Sequence, residues 1–167
     1  RIRRAVRLGF EALARFQSSI DEAGRRAIAS LDQTGEPGVV LLGRSYNIYD
    51  RGVSLDVATK LRKYYGANVV GFDFLAAELD GQRWTDGTMY WQSGARILAA
   101  ASFTRDRPHL HLIYVTNFKC GPDSYVKHRV LAAAGRPFLT LQFDGHNNDA
   151  GVLTRCEAYL ESKGVLR

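Results

Sequence analysis

Cysteine is scarce in this chain: two among 167 residues, neither in a CxxC pair nor in a regularly spaced set. That scarcity excludes a disulfide-scaffold domain and a self-contained zinc site. Two unpaired thiols fit a reducing cytoplasm best, so a cytoplasmic location is expected. No apolar run approaches the ~20 residues needed to span a bilayer, and no membrane partner is expected. The first residues, RIRRAVRLGFEALARF, hold neither an initiator Met nor the apolar core of a signal peptide. They read as the interior of a longer polypeptide. Internal repeats and low-complexity segments are missing, as are the GxGxxG and P-loop patterns that cradle phosphates.

What is present is the make-up of an ordinary globular domain, 46% apolar and 24% charged. Its length suits one domain over 1–167, with an N-terminal helix and linker (1–36) preceding an α/β core (37–167). The formal net charge of +6 raises the question of nucleic acid. Its distribution answers against it. Residues 1–30 hold seven arginines against three acids, which is most of the excess. Basicity concentrated on one helix reads as a solvated face or an inter-domain contact, with no nucleic-acid partner.

In that helix Phe10, Leu13, Gln17, Ile20, Ala23 or Gly24, Ala27 and Leu31 recur three or four apart, forming one apolar stripe over residues 5–31. TGEPG (34–38) ends it. Val39–Leu42 reads as a buried strand opening into Gly43-Arg44-Ser45-Tyr46-Asn47. Ser54 is placed to cap a helix running to Tyr65, which Gly66 stops. Asn68–Phe74 reads as the second strand, 76–87 as a polar surface loop carrying Asp80 and Asp86, and Met89–Phe103 as a helix. His111–Thr116 is a β-branched, apolar third strand. It ends at Asn117-Phe118-Lys119-Cys120, with Gly121 and Pro122 opening a helix to Ala134. Phe138–Phe143 is the fourth strand. Asp149 is expected to cap the last helix, Ala150–Lys163.

Four strands alternating with helices predict a parallel sheet covered on both faces. The expected fold is a Rossmann-like or flavodoxin-like three-layer sandwich with strand order 2-1-3-4. Its switch point lies between the first and third strands. That order brings Arg44, Ser45, Tyr46 and Asn47 beside Asn117, Phe118, Lys119 and Cys120, with Asp73 and Asp144/His146 on the flanks.

Cys120 then sits between a buried strand and a helix N-terminus, where thiolates are stabilised, with Lys119 alongside. Two readings stay open for it, a ligand or redox thiol and a small buried thiol closing a turn. Gly43–Asn47 has two as well. Arg44 and the Asn47 amide suit a phosphate or carboxylate, as in CoA, whereas Asn47 and Asp50 also suit turns that bond their own backbone. Asp144 and His146 offer two ligands to a divalent metal without a third spaced with them. Arg155 is a candidate anchor for the 144–149 loop. Tyr90 and Trp91 read as packing or a cleft wall. His109, His111 and His128 form no recognisable catalytic spacing.

Several stretches together resemble one family. GRSYNIYDRGVSLDVATKLRKYYGANVVGFDFL, MYWQSGARILAAA, VTNFKCGPDSYVKH and RPFLTLQFDGHNNDAGVLTRCEAYLES are similar, over residues 37–163, to the acyl-CoA dehydratase activase-related proteins. These 2-hydroxyglutaryl-CoA dehydratase activator-like chains are multidomain and bacterial. They join ATPase modules to a region like the 2-hydroxyacyl-CoA dehydratase subunits. The resemblance implies that Cys120 matches a ligand of a 4Fe-4S iron–sulfur cluster. It places Asn117, Phe118, Gly43, Arg44, Tyr46 and Asn47 around that cofactor and leaves Cys156 outside it. It also implies ATP-coupled low-potential electron transfer, other domains of the same polypeptide as partners, and acyl-CoA or CoA as ligand. Association with a second copy is also expected. The alternative is a docking or acyl-CoA-binding module whose cysteine is structural. Three positions depart from the family pattern: Ser45 for a proline, Gly145 for an acid, and Lys119 for a glycine. One cysteine also leaves most of a cluster's ligands to be found elsewhere.

Overall fold

The computed structural model describes residues 1–79, 88–146 and 148–166. Helix α1 (Ile2–Thr34) leads into β1 (Gly38–Gly43), the short α2 (Ser45–Tyr49), α3 (Val57–Tyr65) and β2 (Asn68–Gly71). A 3-10 turn (Phe72–Leu75) follows, and then α4 (Gln92–Phe103), β3 (Leu110–Asn117), α5 (Gly121–Ala134), β4 (Leu139–Phe143) and α6 (Asp149–Ser162). The four described strands form one all-parallel sheet in the order β2-β1-β3-β4, as the helix–strand alternation predicts. Helices α4 and α5 pack together, as do α3 and α6, giving the three-layer α/β arrangement. Burial of VVLL in β1 and LIYV in β3 explains why both read as unbroken apolar runs: in a parallel sheet both faces are covered.

Register fixes the functional edge. Gly38 to Gly43 of β1 lie opposite Leu110 to Val115 of β3, so both strands finish at the same edge of the sheet, β3 two residues beyond β1. The chain leaving Gly43 and the chain leaving Asn117 therefore emerge side by side. Gly43 has φ +148, and a Cβ there would stand 2.4 Å from the Val115 carbonyl oxygen. No side chain fits that gap. Gly24 is the second such place, because α1 crosses the 3-10 turn so closely that a Cβ would meet the Phe74 carbonyl oxygen at 1.7 Å.

Several expectations are corrected in detail. The second strand stops at Gly71, and Phe72–Leu75 continues as the 3-10 turn. Leu55 and Asp56 both have positive φ, so α3 begins at Val57 and Ser54 is not its cap. The buried Ser54 hydroxyl instead donates to the Asp50 carbonyl at 2.9 Å. Helix α4 begins at Gln92, which leaves Tyr90 90% exposed rather than packed. The Asn148 side chain caps α6 by accepting from the Gly151 N–H. Asp149, one residue on, pairs with Lys60 of α3 at 2.6 Å. Asp80 and Asp86 lie outside the described residues.

At the opposite end of β3, His111 is half-buried near Arg136, Lys163 and His109. Burial first, and then those cations, push its pKa down from 6.5 to about 4. Between those values the unfolded chain takes up a proton that the folded one refuses, so stability falls as pH drops from about 6.5 towards 4. We expect a loss of about 1–2 kcal/mol between pH 7.5 and 5, read from urea midpoints. His111→Gln should flatten that slope. An unchanged slope would rule out the assignment.

Candidate functional site

At the carboxyl edge of the sheet, between β1 and β3, the side chains of Arg44, Asp123 and Thr116 cluster beside one thiol. Cys120 is the N-cap residue of α5, and its Sγ accepts from the backbone N–H of Asp123 at 3.4 Å. The Arg44 guanidinium, carried out by the end of β1, donates to the same sulfur. It also donates to Asp123 Oδ2 at 3.1 Å. Asp123 is 3% exposed and accepts a further hydrogen bond from Thr116 Oγ1 at 2.6 Å. Burial works against the Arg44 charge, but the Asp123 carboxylate outweighs it, and the guanidinium is held more firmly protonated than usual. The sulfur thus faces two donors, one of them a permanent cation, at a helix N-terminus. Such donors suit a sulfur bound to metal.

Beside this group, Asn117 Nδ2 donates to Asn47 Oδ1 at 2.9 Å, tying the two strand exits together. Asn47 is fully buried, and its own Nδ2 has no hydrogen-bond partner among the described residues. The Tyr114 hydroxyl is also buried and unpartnered, and burial followed by the Asp123 charge pushes its ionisation up. On the β2 side, Asp73 accepts from Ser45 Oγ at 2.6 Å and from Arg96 at 3.0 Å. Ser45 at the proline position thus adds a bond that proline has no donor to make. Exposed aromatics surround the edge. The Tyr46 ring sits 5.1 Å from the Arg44 guanidinium, Phe118 is 55% exposed, and Trp91 meets Tyr125 edge-on at 5.8 Å.

The expected juxtaposition of Gly43, Arg44 and Asn47 with Asn117 and Cys120 is therefore present, with Tyr46 and Phe118 on its rim. Three expectations about individual side chains change. Lys119 does not serve the sulfur; its Nζ lies over the Phe118 ring at 5.3 Å, and Arg44 holds the place beside the thiol. Asn47 bonds Asn117 rather than its own turn, whereas Asp50 does accept from the Val53 N–H at 2.9 Å. Arg155 donates to the Thr140 carbonyl, not to the 144–149 loop. His146 stands apart on the β4–α6 loop, its side chain 97% exposed and 3.9 Å from Asp144. Among the described residues, no group of three or more His, Cys, Asp or Glu side chains is arranged to hold a metal ion. Thr116, Tyr114 and the counter-ion role of Asp123 were missed. A continuous apolar reading of β3 gives no sign of which residues face the loop above it.

Lys119 has φ +56. The backbone there is left-handed, which is why glycine suits this position in the pattern the chain resembles. Lys119→Gly should raise stability by about 0.5 kcal/mol, seen as a small upward shift in melting temperature. A lower melting temperature would show that the Lys119–Phe118 contact outweighs the strain.

Residues 1–75 match the family model described as CoA enzyme activase uncharacterised domain. Over those residues the chain is similar to that CoA enzyme activase family. The matched span takes in all of α1, together with β1, the Arg44 loop, α2, α3 and β2. It ends before β3, so the half of the site that carries Cys120 lies outside it. No curated protein and no solved structure matches the chain. None of the described helices is long and apolar enough to cross a membrane.

Proposed function

We propose that this domain supplies Cys120 as one ligand of a 4Fe-4S cluster in ATP-coupled, low-potential electron transfer to acyl-CoA-type substrates. The observation that carries the reading is the Cys120 sulfur itself: partly exposed, at a helix N-terminus, with the Arg44 guanidinium and the Asp123 N–H both donating to it. Those donors suit a sulfur that keeps its negative charge on binding iron, and such bonds tune a cluster's potential. When bound, the cluster supplies one-electron storage. One thiolate fits one corner, so the remaining ligands come from outside this chain, and other domains of the same polypeptide are the natural source. The exposed rim of Tyr46, Phe118, Trp91 and Tyr125 is the surface such a domain would cover. In this role Asp123 balances Arg44, and the Asn47–Asn117 bond keeps the strand exits in place. ATP coupling belongs to other modules, since this chain carries no phosphate-cradling motif.

The competing reading is a docking module with a structural cysteine. Its CoA-binding form loses support, because Arg44 Nη2 is turned inward to Asp123 and Cys120. Iron and acid-labile sulfide, measured on the full-length protein purified without oxygen beside Cys120→Ala, separate the two. We expect iron in the wild type and its loss in the variant. Iron absent from both, or kept equally by both, makes the cysteine structural.

A further inference from the structure

Helix α1 is only partly used by the domain. Gly24, Ile28 and Leu31 are buried against it, while residues 1–19 are all exposed. The apolar stripe does not stop where burial stops. Ile2, Val6, Leu13 and Phe16 continue it outward at 81%, 53%, 49% and 60% exposure, with Phe10, 69% exposed, on its Arg3 flank. Together with Gly9 and Ile20 they are spaced four, three, four, three and four apart, the seam of a two-helix coil. A helical arm about 28 Å long with one uncovered apolar seam gets little stability from itself, because most helices are held by what packs on that face.

We propose that the arm of α1 pairs antiparallel with the same arm of a second copy of this chain. The seam is complementary to itself in one register, centred on residue 11. Ile2 then falls opposite Ile20 of the second copy, Val6 opposite Phe16, and Gly9 opposite Leu13. Ile meets Ile at the ends, a large side chain meets a smaller one at the two inner pairs, and the Gly9 site, with open space around it, takes the Leu13 knob. Charge agrees with this pairing. Arg3 and Asp21 lie on the same flank of the helix, and the register sets Arg3 of each copy within one turn of Asp21 of the other, twice by symmetry. The other flank offers Ala5, Ala12 and Ser19, which let two backbones approach. The remaining arm arginines (Arg4, Arg7 and Arg15) project away from the seam. A basic amphipathic helix also suits an anionic lipid surface. The heptad spacing, the glycine in the seam and the Arg3–Asp21 match favour a helix over lipid.

Sedimentation equilibrium of residues 1–167 tests this, together with Leu13→Lys, Asp21→Arg and the Arg3→Asp/Asp21→Arg double variant. The wild type should approach twice 18.6 kDa in the micromolar range. Leu13→Lys should be monomeric with an unchanged melting temperature, since residue 13 is outside the domain's core. Asp21→Arg should weaken the dimer about tenfold, and the double reversal should restore it. A wild type that stays monomeric, a dimer indifferent to Leu13→Lys, or a reversal that fails to restore each overturns the pairing. So does a monomer that sediments with phosphatidylserine-containing vesicles through Leu13, which would assign the arm to lipid.

Discussion

Gly43→Ala is expected to cost about 3–5 kcal/mol, among the largest effects of any single substitution in this chain. Two penalties coincide there. The backbone conformation, φ +148, is one that side chains disfavour, and the new Cβ would lie 2.4 Å from the carbonyl oxygen of Val115. A flexible neighbour could swing aside, but this one is backbone in the central pair of strands, with Gly43 directly opposite Val115. Relief requires β1 and β3 to separate at their carboxyl ends. That is where Arg44 leaves β1 for Cys120, so the same strain withdraws the guanidinium from the sulfur. Urea unfolding checks the energy, with Gly145→Ala as control, because a Cβ there meets nothing and the change should stay within about 0.5 kcal/mol. Equal midpoints for the two variants would mean that the strand ends are far more yielding than a packed parallel sheet allows.

The residues show why some of this was legible in advance. The parallel sheet follows from VVLL and LIYV, whose continuous apolar character only a strand covered on both faces requires. Strand order then puts Arg44 and Asn47 across from Asn117 and Cys120 without any knowledge of side-chain contacts. What lay beyond reach was the choice among neighbours. Lys119 is adjacent to the thiol in sequence, but its left-handed backbone turns it towards Phe118, and the cation that serves the sulfur comes from 76 residues away. The extent of β2 was equally hidden, since FDFL suits a strand or a 3-10 turn by local pattern, and the close crossing of α1 at Gly24 is a tertiary fact. For α1 the stripe was visible, but not that its first half is left uncovered.

Asp123 is the second residue whose replacement should be severe. Its carboxylate is 3% exposed, and Arg44 and Thr116 both donate to it. Asp123→Ala leaves the guanidinium, itself only 25% exposed, without its counter-ion and Thr116 Oγ1 without its acceptor. Removing one partner of a buried pair costs about 3–5 kcal/mol, and the partial exposure of Arg44 brings the expectation to about 2–4 kcal/mol. Asp123→Asn keeps the volume and an acceptor for Thr116, so it should retain part of that stability. A double-mutant cycle with Arg44→Ala checks the coupling. If the two side chains act as a unit, the double variant costs less than the two single changes added together, by about 1–3 kcal/mol. Additive costs would mean that the pair is incidental. The site also supplies a chemical readout. With the Asp123 charge removed, the Cys120 sulfur is the one of the two acceptors left to Arg44 Nη2 at full strength. Alkylation of Cys120 by iodoacetamide should then run faster in Asp123→Asn than in the wild type at neutral pH. Cys156 is an internal reference: burial lifts its thiol to about 11, so it stays unreactive in both proteins. A slower reaction at Cys120 in the folded variant would show that Asp123 positions Arg44 rather than opposing it, and that without the carboxylate the guanidinium leaves the sulfur.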